Sequence, residues 1–249
     1  AKNSDNGGVH SAYFQTLSNA LDKAGLARPT LIIDKQKLLA NASVLHQHLV
    51  GRYDYRVVTK SLPSVPLLEA VMSHTNTQRL MVFHQPFLNL IANELPNTDV
   101  LLGKPMPVAA AARFYQQHRT TQFDARHQLQ WLVDSPVRLM QYAELGRQRG
   151  ELMLINLELD VGLHRGGIKS EEQLAVALDI IEREPFLQFS GFMGYDPHVS
   201  KNPGLLGGAE AAFSAVQKTY QNFVTIAERQ LQRSLSGLTL NAAGSPTYQ

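Results

Sequence analysis

The lysine best placed for chemistry is Lys60, which directly follows the mostly apolar segment Arg56-Val57-Val58-Thr59. If this segment is a strand that ends at the mouth of a barrel, partial burial favours the neutral form of the amine. A neutral lysine amine attacks carbonyl groups and forms a Schiff base. The alternative is a lysine at a strand end that extends into solvent, and position alone favours that alternative.

A second candidate group lies near the end of the sequence, in the run Gly244-Ser245-Pro246-Thr247. Two hydroxyl groups and several N–H donors on a flexible backbone suit the binding of a phosphate. In barrel enzymes the loops after the last strands often hold such a phosphate. An ordinary glycine–proline turn has the same composition, so both interpretations stay open.

Three further side chains follow predicted strands. Arg165 stands between His164 and two glycines, where a cation on a loop can meet a ligand that approaches the backbone closely. Tyr195 could stack on an aromatic cofactor, and His198 could act as an acid, a base or a phosphate contact. Each has a simpler interpretation as a solvated or half-buried loop residue.

Other chemistries lack support in the sequence. His46 and His48 are two residues apart on a predicted helix and point to different faces. His118 and His127 flank a polar segment and have no carboxylate at metal-ligand spacing. Cysteine is absent, which excludes disulfides, thiolate catalysis and thiolate metal sites. No nucleophile-elbow, dinucleotide-binding or Walker motif occurs. We therefore expect no metal site within this chain.

Composition limits the class of protein. The 249 residues are 44% hydrophobic and 18% charged, with a formal net charge of +2, which is typical of a globular domain and not of a disordered chain. No apolar run approaches the roughly 20 residues of a membrane span. Because there is no basic block, we expect neither a nucleic-acid partner nor a membrane partner. The lack of cysteine fits a reducing compartment, and we expect a cytoplasmic protein.

The elements that must position these residues alternate regularly between strands and helices. The predicted strands are 30–34, 56–60, 80–84, 99–102, 129–134, 153–158, 187–193 and 238–241. The predicted helices are 11–23, 37–49, 65–73, 87–94, 109–117, 137–149, one that begins at 170, and 208–233. Eight strands alternating with helices favour an α/β fold of the (β/α)8 barrel type over a doubly wound open sheet.

Five motifs occur in a characteristic order: Pro29-Thr-Leu-Ile-Ile-Asp34, Val58-Thr59-Lys60-Ser61, Asp160-Val-Gly-Leu-His-Arg-Gly-Gly167, Gly191-Phe-Met-Gly-Tyr195-Asp-Pro-His198 and Gly244-Ser-Pro-Thr-Tyr248. Together they resemble fold-type III pyridoxal-phosphate enzymes, whose D-V-G-x-H-R-x-G loop is similar to the third motif. The resemblance is nearest to the D-threonine aldolase and D-serine dehydratase branch of the alanine racemase N-terminal-domain superfamily. It implies a TIM-type barrel that binds pyridoxal 5′-phosphate.

The resemblance implies roles for three catalytic residues. Lys60 would form the internal aldimine with the cofactor and act as the base on one of its faces. Arg165 would lie near the phenolic oxygen of the cofactor and the substrate carboxylate. Tyr195 would place its ring against the pyridine face.

The resemblance also implies a set of cofactor-binding residues. Besides Lys60, Tyr195 and His198, this set contains Asn241 near the pyridine nitrogen. The phosphate would be held by Gly244, Ser245, Thr247 and Tyr248.

The same resemblance implies a domain organisation. Residues 1–28 would be an N-terminal helical extension, and residues 29–249 would be the cofactor-binding barrel. Members of this branch continue into a C-terminal β-domain that supplies divalent-metal ligands. We therefore expect this chain to lack that domain and the last barrel helix, and any Zn²⁺ or Mn²⁺ to bind only through such a further domain. A homodimer is expected for the full-length protein.

Four functions remain open. The leading one is a lyase that forms an external aldimine with an amino acid, most readily a D-amino acid, and performs retro-aldol cleavage or dehydration. An amino-acid racemase and a non-catalytic carrier of the cofactor are the alternatives of the same fold type. The fourth function is Schiff-base aldolase chemistry without a cofactor.

Overall fold

The computed structural model describes residues 9–118, 120, 122–201, 208–242, 244 and 247. The chain divides into two compact units, Ala1–Ala40 and Asn41–Gln249. Among the described residues, no helix is both long enough and apolar enough to cross a membrane.

The first unit contains helix α1 (Ala12–Lys23) and the start of helix α2 (Lys35–Leu49). Asp34 caps α2, because its carboxylate accepts from the backbone N–H of Lys37 at 3.0 Å and from the hydroxyl of Tyr13 at 2.8 Å. These hydrogen bonds hold the pKa of Asp34 below its ordinary value.

The predicted strand at 30–34 is wrong. This segment has no strand structure, and Leu31 is 90% exposed. A run of branched apolar residues favours extended backbone, but a strand also needs a hydrogen-bonded neighbour, and these residues have none in the described sheet.

The second unit contains one sheet of seven strands. They are β1 (Arg56–Val58), β2 (Arg79–Val82), β3 (Asp99–Leu102), β4 (Leu129–Val133), β5 (Met153–Leu159), β6 (Leu187–Gly194) and β7 (Thr239–Asn241). The strands lie in chain order and every neighbouring pair is parallel. The described residues therefore form a parallel α/β half-barrel of TIM-like type, whereas the eight-stranded barrel that the sequence predicts is not completed by them.

Helices connect the successive strands, as parallel pairing requires. They are α3 (Val65–Thr75), α4 (Gln85–Glu94), α5 (Val108–Gln117), α6 (Ala125–Gln128), α7 (Pro136–Arg149), α8 (Glu171–Arg183) and α9 (Gly208–Leu231). Side chains of His84, Ser135 and Ser170 accept from backbone N–H groups in the first turns of α4, α7 and α8. Such caps fix where each helix begins after its strand.

Aromatic packing fills the layer between the sheet and its helices. Trp131 on β4 is fully buried and its indole N–H donates to the hydroxyl of Tyr115 on α5 at 3.1 Å. Tyr142 on α7 lies 5.5 Å from Trp131, ring centroid to ring centroid, and its hydroxyl donates to the carbonyl of Met106 at 3.0 Å. Each polar tip thus has a partner, as burial requires.

Polar side chains cross the inner face of the sheet. The amide of Gln130 on β4 donates to the hydroxyl of Thr239 on β7 at 2.8 Å, and the amide of Asn156 on β5 donates to the Thr239 carbonyl at 3.2 Å. A Cβ on Gly191 of β6, whose φ is +136°, would lie 2.0 Å from the same carbonyl. The sheet curls so tightly here that side chains of β4 and β5 reach Thr239 on β7. On the intervening strand β6, only glycine leaves room for the Thr239 carbonyl at position 191.

Candidate functional site

Polar residues gather where the parallel strands end, because the carboxyl ends of all seven strands lie at one edge of the sheet. The residues that follow β1, β3, β4, β5 and β6 at this edge are Lys60, Gly103 with Lys104, Asp134, Asp160 and Tyr195. Several of them lie in contact, and they form the candidate site.

Lys60 lies in a single turn of 3-10 helix, Thr59–Ser61, immediately after β1. The buried hydroxyl of Thr59 donates to the carbonyl of Met81 at 3.0 Å and anchors this turn to β2. The Lys60 amine nitrogen Nζ lies 4.5 Å from the ring centroid of Phe83 and 6.0 Å from that of Tyr195. Lys60 is exposed, which agrees with the alternative of a lysine at a strand end that extends into solvent. In the described sheet β1 has a neighbouring strand on one side only, so little structure covers its carboxyl end.

Tyr195 stands at the centre of the site. The guanidinium carbon of Arg165 lies 4.9 Å from its ring centroid, on the scale of a cation–π contact. Because Nζ of Lys60 lies 6.0 Å from the same centroid, two cationic side chains flank one aromatic ring. The structure therefore brings together the three residues that the sequence nominates as catalytic.

Arg165 is held by an acidic residue that the sequence analysis did not nominate. Its Nε donates to Oε1 of Glu158 at 2.8 Å, and its Nη2 lies 2.7 Å from the same oxygen. The Nη2 group also donates to the carbonyl of Gly103 at 3.3 Å. The side chain of Glu158 is 4% exposed, so this ion pair lies at the inner wall of the site.

The loop after β5 is organised by Asp160. Its Oδ1 accepts from the backbone N–H groups of Gly162 and His164 at 3.1 and 2.9 Å, and its Oδ2 lies 2.9 Å from Nδ1 of His164. Burial of Asp160 disfavours its charged form, but these hydrogen bonds outweigh burial and hold its pKa below the ordinary value. Asp160 therefore stabilises the loop that carries Arg165.

Gly167 closes the same loop with a φ of +95°. A Cβ at this position would lie 2.9 Å from the backbone of Asp160 and Glu158. The backbone approach thus explains why a glycine ends the Asp160–Gly167 motif.

The predicted phosphate run is described only at Gly244 and Thr247, and Ser245 and Tyr248 lie outside the described residues. The backbone N–H of Gly244 donates to Oγ1 of Thr247 at 3.0 Å, and the Thr247 hydroxyl donates to Oδ1 of Asp196 at 3.0 Å. Asp196 is 2% exposed and directly follows Tyr195. Gly244 and Thr247 therefore lie beside the part of the β6 loop that directly follows Tyr195.

His198 packs against the β5 loop. A Cβ on Gly162, whose φ is +112°, would lie 3.0 Å from Nε2 of His198. Its Nδ1 is buried and has no hydrogen-bond partner among the described residues. The imidazole thus lies between two loops of the site with one nitrogen unsatisfied.

Asn241 is placed at the end of β7, in register with Met193 of β6. Its backbone carbonyl lies 3.3 Å from the hydroxyl of Tyr220, which also donates to the carbonyl of Phe192 at 3.1 Å. Burial raises the pKa of Tyr220, which keeps this hydroxyl protonated. The side chain of Asn241 has no hydrogen bond to the other described residues, so the geometry does not join it to the cluster.

Sequence reasoning missed Glu158, Asp196 and Phe83. Glu158 carried a usable signal, since it is the only charged residue in a strand whose other residues, apart from Asn156, are apolar. Phe83 carried none, because its position under Lys60 depends on Gly103, where a Cβ would lie 2.3 Å from the Phe83 ring. Among the described residues, no three histidine or acidic side chains are grouped so as to hold a metal ion.

The fold and the site define a class: a parallel half-barrel with an amine, a guanidinium and an aromatic ring at the carboxyl ends of its strands. Residues 33–249 match the family model of the alanine racemase N-terminal domain, and the chain belongs to that family. The family belongs to fold type III of the pyridoxal-phosphate-dependent proteins. A comparison with curated protein sequences gives no significant match.

Solved structures share the fold at low sequence identity. Alanine racemase from Bacillus anthracis with bound L-Ala-P is 14% identical, with a TM-score of 0.69 over 89% of this chain and 54% of that one. D-threo-3-hydroxyaspartate dehydratase from Delftia sp. HT23 is 19% identical, with a TM-score of 0.70 over 90% and 56%. Histidine racemase from Leuconostoc mesenteroides is 13% identical, with a TM-score of 0.56 over 84% and 49%. The chain thus spans about half the length of these structures.

Proposed function

We propose that this chain binds pyridoxal phosphate through Lys60 and carries the cofactor site of a lyase that acts on a D-amino acid. The observation that carries this proposal is the arrangement around Tyr195, where Nζ of Lys60 and the guanidinium of Arg165 lie 6.0 and 4.9 Å from one ring centroid. An amine, a cation and an aromatic face are the groups that a planar, anionic aldehyde requires.

The residues at the other end of the site also fit the cofactor. In the structure the Gly244 backbone N–H donates to Oγ1 of Thr247 and the Thr247 hydroxyl donates to Asp196, which directly follows Tyr195. To bind the phosphate, these two donors would exchange those partners for phosphate oxygens. Backbone N–H groups and hydroxyls are the donors that phosphate oxygens accept in barrel loops. His198, with its unsatisfied Nδ1, would supply a further donor from the β6 loop.

Pyridoxal phosphate, when bound, withdraws electrons from the Cα atom of an attached amino acid. Lys60 would hold the cofactor, and its Nζ would become a free base once the amino group of the substrate has displaced it. In a dehydration Nζ would accept the Cα proton and return a proton to the departing β-hydroxyl group, which leaves as water; in retro-aldol cleavage it would accept the proton of the β-hydroxyl group. Arg165 would bind an anionic oxygen of the cofactor or the substrate carboxylate. Tyr195 would keep the cofactor ring in plane by stacking.

Two features support a lyase before a racemase. The five motifs taken together resemble the aldolase and dehydratase branch most, and one solved neighbour is a D-threo-3-hydroxyaspartate dehydratase. Racemisation is the second candidate, because other solved neighbours are alanine and histidine racemases. No divalent metal takes part in the chemistry proposed for the described residues.

The absorption spectrum with added pyridoxal phosphate tests cofactor binding. The wild-type chain should gain the band of a lysine-bound cofactor, and the Lys60→Ala variant should not. Lys218→Ala is the matched control and should behave as wild type, because Lys218 is an exposed lysine on α9 outside the candidate site. A band that persists in Lys60→Ala would overturn the assignment of Lys60. A wild-type chain that stays colourless would overturn cofactor binding and favour cofactor-free chemistry.

Turnover separates the remaining activities. The natural protein should be incubated with D-serine, D-threonine and D- and L-alanine, with and without Mn²⁺ or Zn²⁺. Formation of pyruvate from D-serine or of acetaldehyde from D-threonine supports the lyase. Interconversion of the alanine enantiomers alone supports the racemase, and a cofactor-loaded protein without any product supports the carrier.

A further inference from the structure

Glu158 is a carboxylate inside a buried strand. All other residues of β5 are apolar except Asn156, and the Glu158 side chain is only 4% exposed. Burying a carboxylate without a partner costs several kcal/mol, so the sequence keeps it only together with a compensating cation. That cation is Arg165, seven residues further along the chain.

The contacts of Arg165 fix which edge of the guanidinium stays available. Nε and Nη2 both face Oε1 of Glu158, at 2.8 and 2.7 Å, and Nη2 also donates to the carbonyl of Gly103. Nη1 has no hydrogen-bond partner among the described residues. Because the guanidinium also lies over the Tyr195 ring, Arg165 is held on two sides while two N–H donors on Nη1 stay free.

Stability alone does not explain this pair. Burial raises the pKa of Glu158 and Asp134 adds to the increase, while Arg165 and Lys104 oppose them. The environment therefore disfavours the charged carboxylate on balance, and buried ion pairs of this kind are often no more stable than apolar residues of the same volume. A role in placing Arg165 accounts for the charge.

We propose that Glu158 is a positioning residue: it orients Arg165 so that the Nη1 donors bind an anionic oxygen of the bound cofactor or of the amino acid substrate. This inference rests on the proposed function of the site. It assigns to Glu158 no contact with cofactor or substrate, and it predicts that the effect of Glu158 acts entirely through Arg165.

A double-mutant cycle tests the coupling. The variants are Glu158→Gln, Arg165→Lys and the double variant, with Glu171→Gln as the matched control, since Glu171 pairs with Arg229 between α8 and α9. Two dissociation constants are measured by absorbance: that of pyridoxal phosphate, and that of D-serine on the cofactor-loaded protein. We expect Glu158→Gln to weaken one of the two about tenfold, the double variant to be no weaker than Arg165→Lys, and Glu171→Gln to match wild type.

The constant that changes identifies the oxygen. Weaker cofactor binding indicates an oxygen of the cofactor, and unchanged cofactor binding with weaker D-serine binding indicates the substrate carboxylate. The inference is overturned if neither constant changes more than twofold in Glu158→Gln, or if the effects of the two single variants add in the double variant. In that case wild-type cofactor binding still supports the proposed function, whereas a wild-type chain that binds no cofactor overturns both.

Unfolding by urea distinguishes positioning from a structural role. Since burial disfavours the Glu158 carboxylate, the isosteric Glu158→Gln variant should unfold at no lower urea concentration than wild type. Glu158→Asp keeps the charge but withdraws the carboxylate by one methylene group, and it should weaken the same dissociation constant. A Glu158→Asp variant that binds both ligands as wild type does would contradict positioning, even if Glu158→Gln failed to fold.

Discussion

The guanidinium of Arg165 lies over the ring of Tyr195, with its central carbon 4.9 Å from the ring centroid. The two residues come from different loops, one after β5 and one after β6, which are neighbouring parallel strands. The contact therefore forms only when both strands end at the same level of the sheet. It couples the loop that Asp160 organises to the loop that lies beside Thr247.

The Tyr195 ring should contribute to cofactor binding by its face and not by its hydroxyl. We expect Tyr195→Ala to raise the dissociation constant of pyridoxal phosphate about five- to tenfold, since cation–π and stacking contacts contribute roughly 1 kcal/mol. Tyr195→Phe should stay within about twofold of wild type. Tyr53→Ala removes the ring of an exposed Arg52–Tyr53 pair and serves as the control. Equal losses in the Phe and Ala variants would contradict a role of the ring face.

Thr247 should determine the preference for a phosphorylated cofactor. We expect wild type to bind pyridoxal phosphate more tightly than pyridoxal. Thr247→Val should reduce this preference about tenfold, because it removes the hydroxyl that links Gly244 to Asp196 and that would turn to the phosphate. Thr247→Ser keeps the hydroxyl and should retain the preference. The ratio of the two dissociation constants, measured by absorbance, checks this prediction, and an unchanged ratio in Thr247→Val would remove Thr247 from the phosphate site.

Gly191 should be required for the curvature of the sheet. We expect Gly191→Ala to lower the free energy of unfolding by about 3 kcal/mol or more, because its Cβ would lie 2.0 Å from the backbone carbonyl of Thr239. Gly150→Ala is the matched control: its φ is also positive, at +66°, but no atom lies within 4 Å of the added Cβ. We expect about 1 kcal/mol for this backbone strain alone. Similar urea midpoints for both variants would contradict this prediction, because β6 and β7 would then accommodate the added Cβ without a loss of stability.

Asp160 should make the stability of the protein depend on pH. Its pKa is lowered in the folded protein, so its contribution is present above the unfolded pKa of about 4 and is lost as the pH falls through the folded value. We expect Asp160→Ala to lose about 1–2 kcal/mol at pH 7, because two backbone N–H groups lose their acceptor. The difference from wild type should shrink in acid. Urea unfolding of both proteins at several pH values measures it, and a difference that grows as the pH falls would contradict the prediction.

Much of the fold could be predicted from the sequence, because short apolar runs separated by turn residues are typical of buried parallel strands. Seven of the eight predicted strands match the observed ones to within two residues at either end. The eighth, at 30–34, does not form a strand. That segment has the composition of a strand, but composition does not specify a hydrogen-bonded neighbour. The sequence therefore predicts eight strands, whereas the described residues form seven.

The candidate site was predictable only in part. Lys60, Arg165 and Tyr195 could be nominated because each directly follows, or lies in the loop after, a predicted strand, and such positions meet at one edge of a parallel sheet. The partners of these residues could not be predicted, since the Glu158–Arg165 ion pair and the Phe83 ring under Lys60 depend on side-chain directions. Asn241 shows the opposite case: a strand end was predicted correctly, but its side chain does not join the cluster.

Chemical trapping tests most directly whether Lys60 holds the cofactor. The protein is incubated with pyridoxal phosphate, reduced with borohydride and digested, and the modified peptide is identified by mass spectrometry. We predict that the pyridoxyl group is found on Lys60, and that Lys104 and the other exposed lysines remain unmodified at equimolar cofactor. Modification spread over several surface lysines, or an unmodified Lys60, would contradict the account.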